Sequence, residues 1–203
     1  FYKSGSPRPK ILSAINSFHG RTLATVTATG QEKYSKAFAP LPPGFFHIPY
    51  NDIKGSVSQI DSSTAAVILE LIQGESGVVP ADPDYVKAVA DACRKHGALL
   101  IIDEIQTGMG RTGTFFAYEQ FDIMPDIVTL AKGLGGGVPI GAIMTKLKDI
   151  FSPGDHGSTF GGNYLVTTAA LEVLDILEEI KDSGALDETI IYFNKKLNEI
   201  YEN

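Results

Sequence analysis

Short apolar runs, separated by polar, proline-rich and glycine-rich breaks, divide the chain into alternating elements. Residues 11–17 read as a strand, 24–34 leave the element type open, and Pro40, Pro42, Pro43 and Gly44 form a loop. A short strand follows at 46–49. Residues 65–72 are apolar and β-branched and predict a buried strand. Asp82-Pro83 then opens a helix, with Asp82 as N-cap and Pro83 at the first helical position. Val86, Val89, Ala90 and Cys93 fall on one stripe, and Gly97 stands where a helix end needs a left-handed residue. Further strands are predicted over 98–102, 127–131 and 139–145. Two helices, 163–180 and 187–201, close the pattern, separated by Ser183-Gly184.

Strands that are apolar throughout, with helices between them, predict an α/β fold with a mostly parallel sheet and helices on both faces. Ligands in such folds bind beyond the carboxyl ends of the strands. Asp103 and Lys132 sit at two of those ends, which makes the strand ends the place to look for chemistry.

Composition narrows the options. The 203 residues are 43% hydrophobic and 20% charged, a globular balance. The formal net charge is −7, and the segment from Glu172 onward holds nine acidic and three basic residues. Apolar residues interleave there, so the excess reads as a solvated helix face. An acidic chain without a basic stripe argues against nucleic acid as partner, and no apolar run is long enough to span a bilayer. A single cysteine, Cys93, fits a reducing compartment. With no signal peptide at the start, the expected location is cytoplasmic. The opening Phe1-Tyr2 is abrupt and suggests an excerpt from a longer chain.

Several segments carry candidate chemistry, each with a plain structural alternative. Gly108-Met109-Gly110-Arg111-Thr112-Gly113 matches the dinucleotide pattern. Asp103 and Glu104 precede it, however, and Pro125 follows too soon for the long helix that pattern requires. A nucleotide-binding module is therefore the weaker reading. Asp103 ends an apolar strand, where a carboxylate needs a cationic or hydrogen-bonding partner; a salt bridge or a helix cap would suffice. Lys132 precedes a glycine run and could serve as an amine nucleophile or simply snorkel to the surface. In Ser17-Phe18-His19-Gly20-Arg21-Thr22, Phe18 could stack on a flat ring and Arg21 grip a carboxylate; the alternative is an ordinary turn. Ser158-Thr159 precedes a helix start, which suits an anion or ordinary capping. No metal-ligand spacing of His and Cys appears, so no metal is expected. A non-catalytic interaction domain is the third reading, motivated by the acidic helical terminus.

Taken together, five stretches resemble the class III (ornithine-type) pyridoxal-phosphate-dependent aminotransferases: residues 17–22, 72–78, 103–113, 131–137 and 157–163. The Phe18-His19-Gly20-Arg21-Thr22 version is most similar to the acetylornithine branch, with ornithine and other ω-amino acid aminotransferases close by. The resemblance implies the large domain of a fold-type I transferase, incomplete, over 1–183, with 184–203 leading toward a small C-terminal domain. It also implies a cofactor, pyridoxal 5′-phosphate, held as a Schiff base on Lys132, which would then carry protons. Asp103 would pair with the pyridine nitrogen, Gln106 would lie near the phenolic oxygen, and Phe18 would stack on the ring, with Glu104 and Ile105 beside them. Thr159 would bind the cofactor phosphate in the neighbouring active site of a homodimer. Arg21 would bind the substrate α-carboxylate, with Ser158 and Glu75 close to the substrate. The implied reaction moves an amino group from an ornithine-type donor, N-acetylornithine first, to 2-oxoglutarate. Where relatives often read Glu-Pro, this chain has Glu70-Leu71. The family's upstream glycine-rich segment and C-terminal arginine are expected outside the 203 residues, so the chain alone is expected to turn over little.

Overall fold

A computed structural model of the chain describes residues 5–148 and 150–202; Phe1 and Tyr2, on which the reading of an abrupt start rests, and Asn203 lie outside the described residues. Six strands make one sheet in the order β2-β1-β3-β6-β7-β8. These are β1 (Lys10–Ala14), β2 (Phe45–Ile48), β3 (Thr64–Leu69), β6 (Leu99–Asp103), β7 (Ile127–Leu130) and β8 (Ala142–Thr145). All neighbours are parallel except β7 and β8. A separate antiparallel pair joins β4 (Ile72–Gln73) to β5 (Val79–Pro80).

The chain leaves β1 for β2 on one side and returns to β3 on the other, so the strand order reverses at β1. Right-handed crossovers in opposite directions put their helices on opposite faces. One face thus receives α1 (Leu23–Ala28) and α2 (Glu32–Ser35). The other receives α3 (Ile53–Val57) and α4 (Pro83–His96), which pack on each other. The main core lies under α4. Val86, Val89 and Cys93 meet Leu12, Val67, Leu69, Leu100 and Ile102, all buried. Each such side chain contributes roughly 1.5–3 kcal/mol by leaving water.

Helix α4 follows its local signals closely. Asp82 accepts from Asp84 N at 2.8 Å and Tyr85 N at 3.2 Å, and Gly97 ends the helix at φ 64°. Elsewhere the boundaries move. The first strand stops at Ala14, because Asn16 turns left-handed at φ 65°. The strand expected over 65–72 ends at Leu69, where the chain swings into the β4–β5 pair. Residues 24–34 fold as two short helices, with Thr29 and Gly30 interrupting them. Residues 139–141 precede β8 and are not part of it. The last two helices, α5 (Tyr164–Asp182) and α6 (Ala185–Tyr201), meet at Gly184, φ 76°. Among the described residues no helix is long and apolar enough to cross a membrane.

Candidate active site

The carboxyl ends of β1, β3, β6 and β7 open on one cavity of about 220 Å³. From beyond β1 come Phe18 and His19, from β3 Glu70, from β6 Asp103 with Ile105 and Gln106, and from β7 Ala131 and Lys132. The parallel register creates this convergence. Leu69 pairs with Ile102 and Asp103 with Thr129, so consecutive strands deliver their terminal residues side by side.

Asp103 is 5% exposed. Its Oδ2 meets His19 Nδ1 at 2.8 Å, and its Oδ1 accepts from Ile105 N and Thr129 Oγ1, both at 3.1 Å. A carboxylate only accepts, so the shared imidazole proton sits on His19 Nδ1. His19 N in turn donates to Thr29 Oγ1 at 3.0 Å, and His19 Nε2 is buried without a partner among the described residues. Three donors on one carboxylate hold it in place and leave lone-pair capacity toward the cavity it lines.

Glu70 is the second buried carboxyl. Its Oε2 accepts from Phe18 N at 2.9 Å. Burial pushes its pKa up to about 7, against the opposing pull of the Phe18 N–H and His19. Phe18 stands edge-on to Tyr34, with ring centroids 5.4 Å apart. Arg21 lies over Tyr34 at 4.5 Å and Phe18 at 5.5 Å, and no carboxylate pairs with it among the described residues.

Lys132 is exposed at the mouth rather than enclosed by its apolar neighbours. Its φ of 45° is left-handed, a conformation costing a non-glycine residue about 1–2 kcal/mol. It opens a 3-10 turn, Lys132–Gly135, followed by Gly136 and Gly137 at positive φ. Lys132 and Gln106 also border a second, larger cavity of about 430 Å³ that includes Arg111. Gln106 depends on Gly74, since a Cβ there would lie 2.5 Å from Gln106 Oε1.

The remaining candidates are placed differently. Glu104 points to the loop beyond β6, accepting from Thr107 Oγ1 and from Tyr118 N. Ile105 lines the cavity and donates its main-chain N–H to Asp103. Glu75 is exposed and lines neither cavity. Ser158 and Thr159 are exposed too, and Ser158 Oγ accepts from Gly161 N at 3.1 Å. The Gly108–Gly113 pattern forms tight turns, with Arg111 N bonded to Gly108 O and Gly113 N to Gly110 O, and no α-helix follows directly. The pyrophosphate-facing helix N-terminus of a dinucleotide fold is thus missing there.

In the sequence His19 stands out only as part of the 17–22 stretch, and Glu70 only as the first residue of Glu70-Leu71. His19 follows the apolar strand over 11–17, the same kind of signal as Asp103, whereas Glu70 falls inside the strand expected over 65–72 and becomes a strand end only in the fold.

Comparison with known proteins matches this arrangement to one family. The family model for class III aminotransferases matches residues 2–203. An acetylornithine aminotransferase of Caldanaerobacter subterraneus subsp. tengcongensis is 53% identical over 186 residues, 91% of this chain and 47% of the relative. A succinylornithine transaminase of Photorhabdus laumondii is 48% identical, covering 98% of this chain and 51% of its own. The ornithine aminotransferase of Toxoplasma gondii, described with partial occupancy of PLP at its active site, superposes with a TM-score of 0.80 at 39% identity, covering 88% of this chain and 42% of that one. The chain spans about half the length of the curated relatives it matches. With its strand ends converging on one cavity and its sequence matched over nearly its whole length, the chain belongs to the class III aminotransferase family.

Proposed function

We propose that the cavity at the strand ends holds pyridoxal phosphate, and that the chain is the cofactor-binding part of an aminotransferase. The observation that carries this reading is the pairing of a buried, triply hydrogen-bonded Asp103 with Lys132 across one small cavity. The donor set suits the cofactor. Asp103 offers an anchored negative charge to a ring nitrogen, Phe18 an aromatic wall, and Gln106 an amide to a phenolic oxygen. When bound, pyridoxal phosphate supplies an aldehyde and an electron-withdrawing ring. The protein's residues supply the rest. His19 holds a proton at Nδ1 and keeps Asp103 oriented, as outer partners of a reactive group do. Lys132 would present its amine to that aldehyde, and its Nζ would hold a proton for transfer at the substrate. The following glycines leave its backbone free to adjust.

The amino donor is of the ornithine type, N-acetylornithine in the first place, and 2-oxoglutarate is the acceptor. The names of the relatives support this class, with ornithine and other ω-amino acids as the alternative. Arg21, stacked on aromatic rings and without a carboxylate partner among the described residues, is suited to bind an α-carboxylate bidentately. Ser158 and Glu75 belong to the substrate side. Residues 1–183 form part of the large domain, and 184–203, set off by the left-handed Gly184, leads toward a small domain.

Thr159 is assigned to the phosphate of a neighbouring subunit. Phe160, 82% exposed, and Tyr164, 93% exposed, adjoin it, which supports a homodimer across this segment. A cytoplasmic setting goes with the reading, supported by Cys93 being a free, buried thiol.

The test is covalent. Pyridoxal phosphate added to the full chain, then borohydride, should leave an adduct on the peptide containing Lys132, and Lys132→Ala should leave none. An equal adduct in Lys132→Ala would contradict the reading.

A further inference from the structure

Two carboxyl groups occupy neighbouring strand ends. Leu69 pairs with Ile102 in the β3–β6 register, so the next step along each strand brings Glu70 beside Asp103. Both residues are 5% exposed, and both line the same cavity. Two buried carboxyl groups that line one cavity do not both ionise cheaply. Their partners decide which one keeps its proton. Asp103 accepts from His19, Ile105 and Thr129. Among the described residues only the Phe18 N–H reaches the Glu70 carboxyl. Three donors against one assign the charge to Asp103 and the proton to Glu70. The same direction follows from burial, which raises the Glu70 pKa to about 7. The charged groups facing Glu70 are His19 from beyond β1, Asp103 from β6 and Lys132 from β7. Tyr50, from beyond β2, donates to the Glu70 main-chain oxygen at 2.9 Å.

We propose that Glu70 is a positioning residue of the cofactor site and works as a neutral carboxylic acid, bracing the Phe18 wall through one oxygen and leaving Asp103 as the cavity's single carboxylate charge. This rests on the reading of the cavity as the pyridoxal phosphate site. Because Oε2 accepts from Phe18 N, the proton sits on Oε1. No bond other than this O–H is involved, and the acid need not react. Its work is to fix Phe18 and to keep a second negative charge away from Asp103.

Glutamine separates the two protonation states. Its amide offers one acceptor for Phe18 N–H and one donor in place of O–H, so it copies the acid but not the carboxylate. Infrared difference spectra between the full wild-type chain and Glu70→Gln, taken at about pH 6, should show a protonated-carboxyl C=O band in the wild type that the variant lacks. Pyridoxal phosphate affinity, followed by absorbance at the same pH, should change by less than about twofold in Glu70→Gln and weaken by about tenfold or more in Glu70→Ala. Two results overturn the inference: no such band in the wild type, or Glu70→Gln as weak as Glu70→Ala. Should Glu70→Ala not fold, the glutamine variant and the spectrum still decide. Failure of the wild type itself to take up pyridoxal phosphate removes the site reading and this inference together. Uptake by the wild type with loss in Glu70→Gln removes the inference alone.

Discussion

The strand ends and the two C-terminal helices use charge in opposite ways. At the strand ends, Asp103 and Glu70 are buried, and their bonds to His19, Thr129 and Phe18 join elements far apart in sequence. On α6, the exposed Lys196–Glu199 pair spans only three residues of one helix. Apolar residues divide the same way: Leu100 is buried in the main core, while Ile200 on α6 is 74% exposed. A buried carboxylate is retained only where several donors meet it, and that requirement draws separate strands to one point. An exposed carboxylate makes no such demand.

The sharpest way to break this contrast is to remove one carboxylate from each region. Asp103→Ala strands the imidazole, the Ile105 N–H and the Thr129 hydroxyl, and should cost about 3–5 kcal/mol of unfolding free energy. Glu199→Ala should stay within about 0.5 kcal/mol. Chemical denaturation of both variants measures the difference, and equal losses would erase the distinction. The apolar version follows. Leu100→Ala should cost about 2–4 kcal/mol and Ile200→Ala less than about 0.5 kcal/mol by the same measurement.

Glu70 gives a pH test with a definite sign. Its pKa is raised on folding from the ordinary 4.5 to about 7. The folded state therefore binds more protons than the unfolded state between those values, and stability falls as pH rises through that window. The loss is on the order of 3 kcal/mol. Glu70→Gln should flatten that part of the profile, and an unchanged slope would contradict the assignment. The smallest effect concerns packing. Gly74→Ala should push aside the flexible end of Gln106 at a cost of less than about 0.5 kcal/mol, and a crystal structure of the variant should show the amide moved.

Much of this molecule was legible in advance because local rules governed it. Helix α4 carries its cap, stripe and terminating glycine within its own residues. Asp103 and Lys132 stood out because charge following an apolar run is unusual. The strand-end place of Glu70 was not legible, for a physical reason. The run from 65 to 72 stays apolar on either side of it, so it read as the interior of one strand. Only the turn after Leu69, set by pairing of Ile72–Gln73 with Val79–Pro80, turns it into a strand end. Residues 24–34 stayed open because β-branched Thr and Val suit either element, and tertiary packing chose helix. The antiparallel direction of β8 has no local signal either, since it follows from how the chain returns after the glycine turn. Ser158, Thr159 and Glu75 were matched by motif alone, and their exposed positions show no partner that would fix their roles.

The central claim is that Lys132 and Asp103 flank a pyridoxal phosphate site. It is tested most directly by adding the cofactor to the full chain, reducing with borohydride and mapping the modified peptide by mass spectrometry. The account predicts one adduct, on Lys132, much reduced in Asp103→Ala. An adduct spread over surface lysines and indifferent to Asp103→Ala would contradict it.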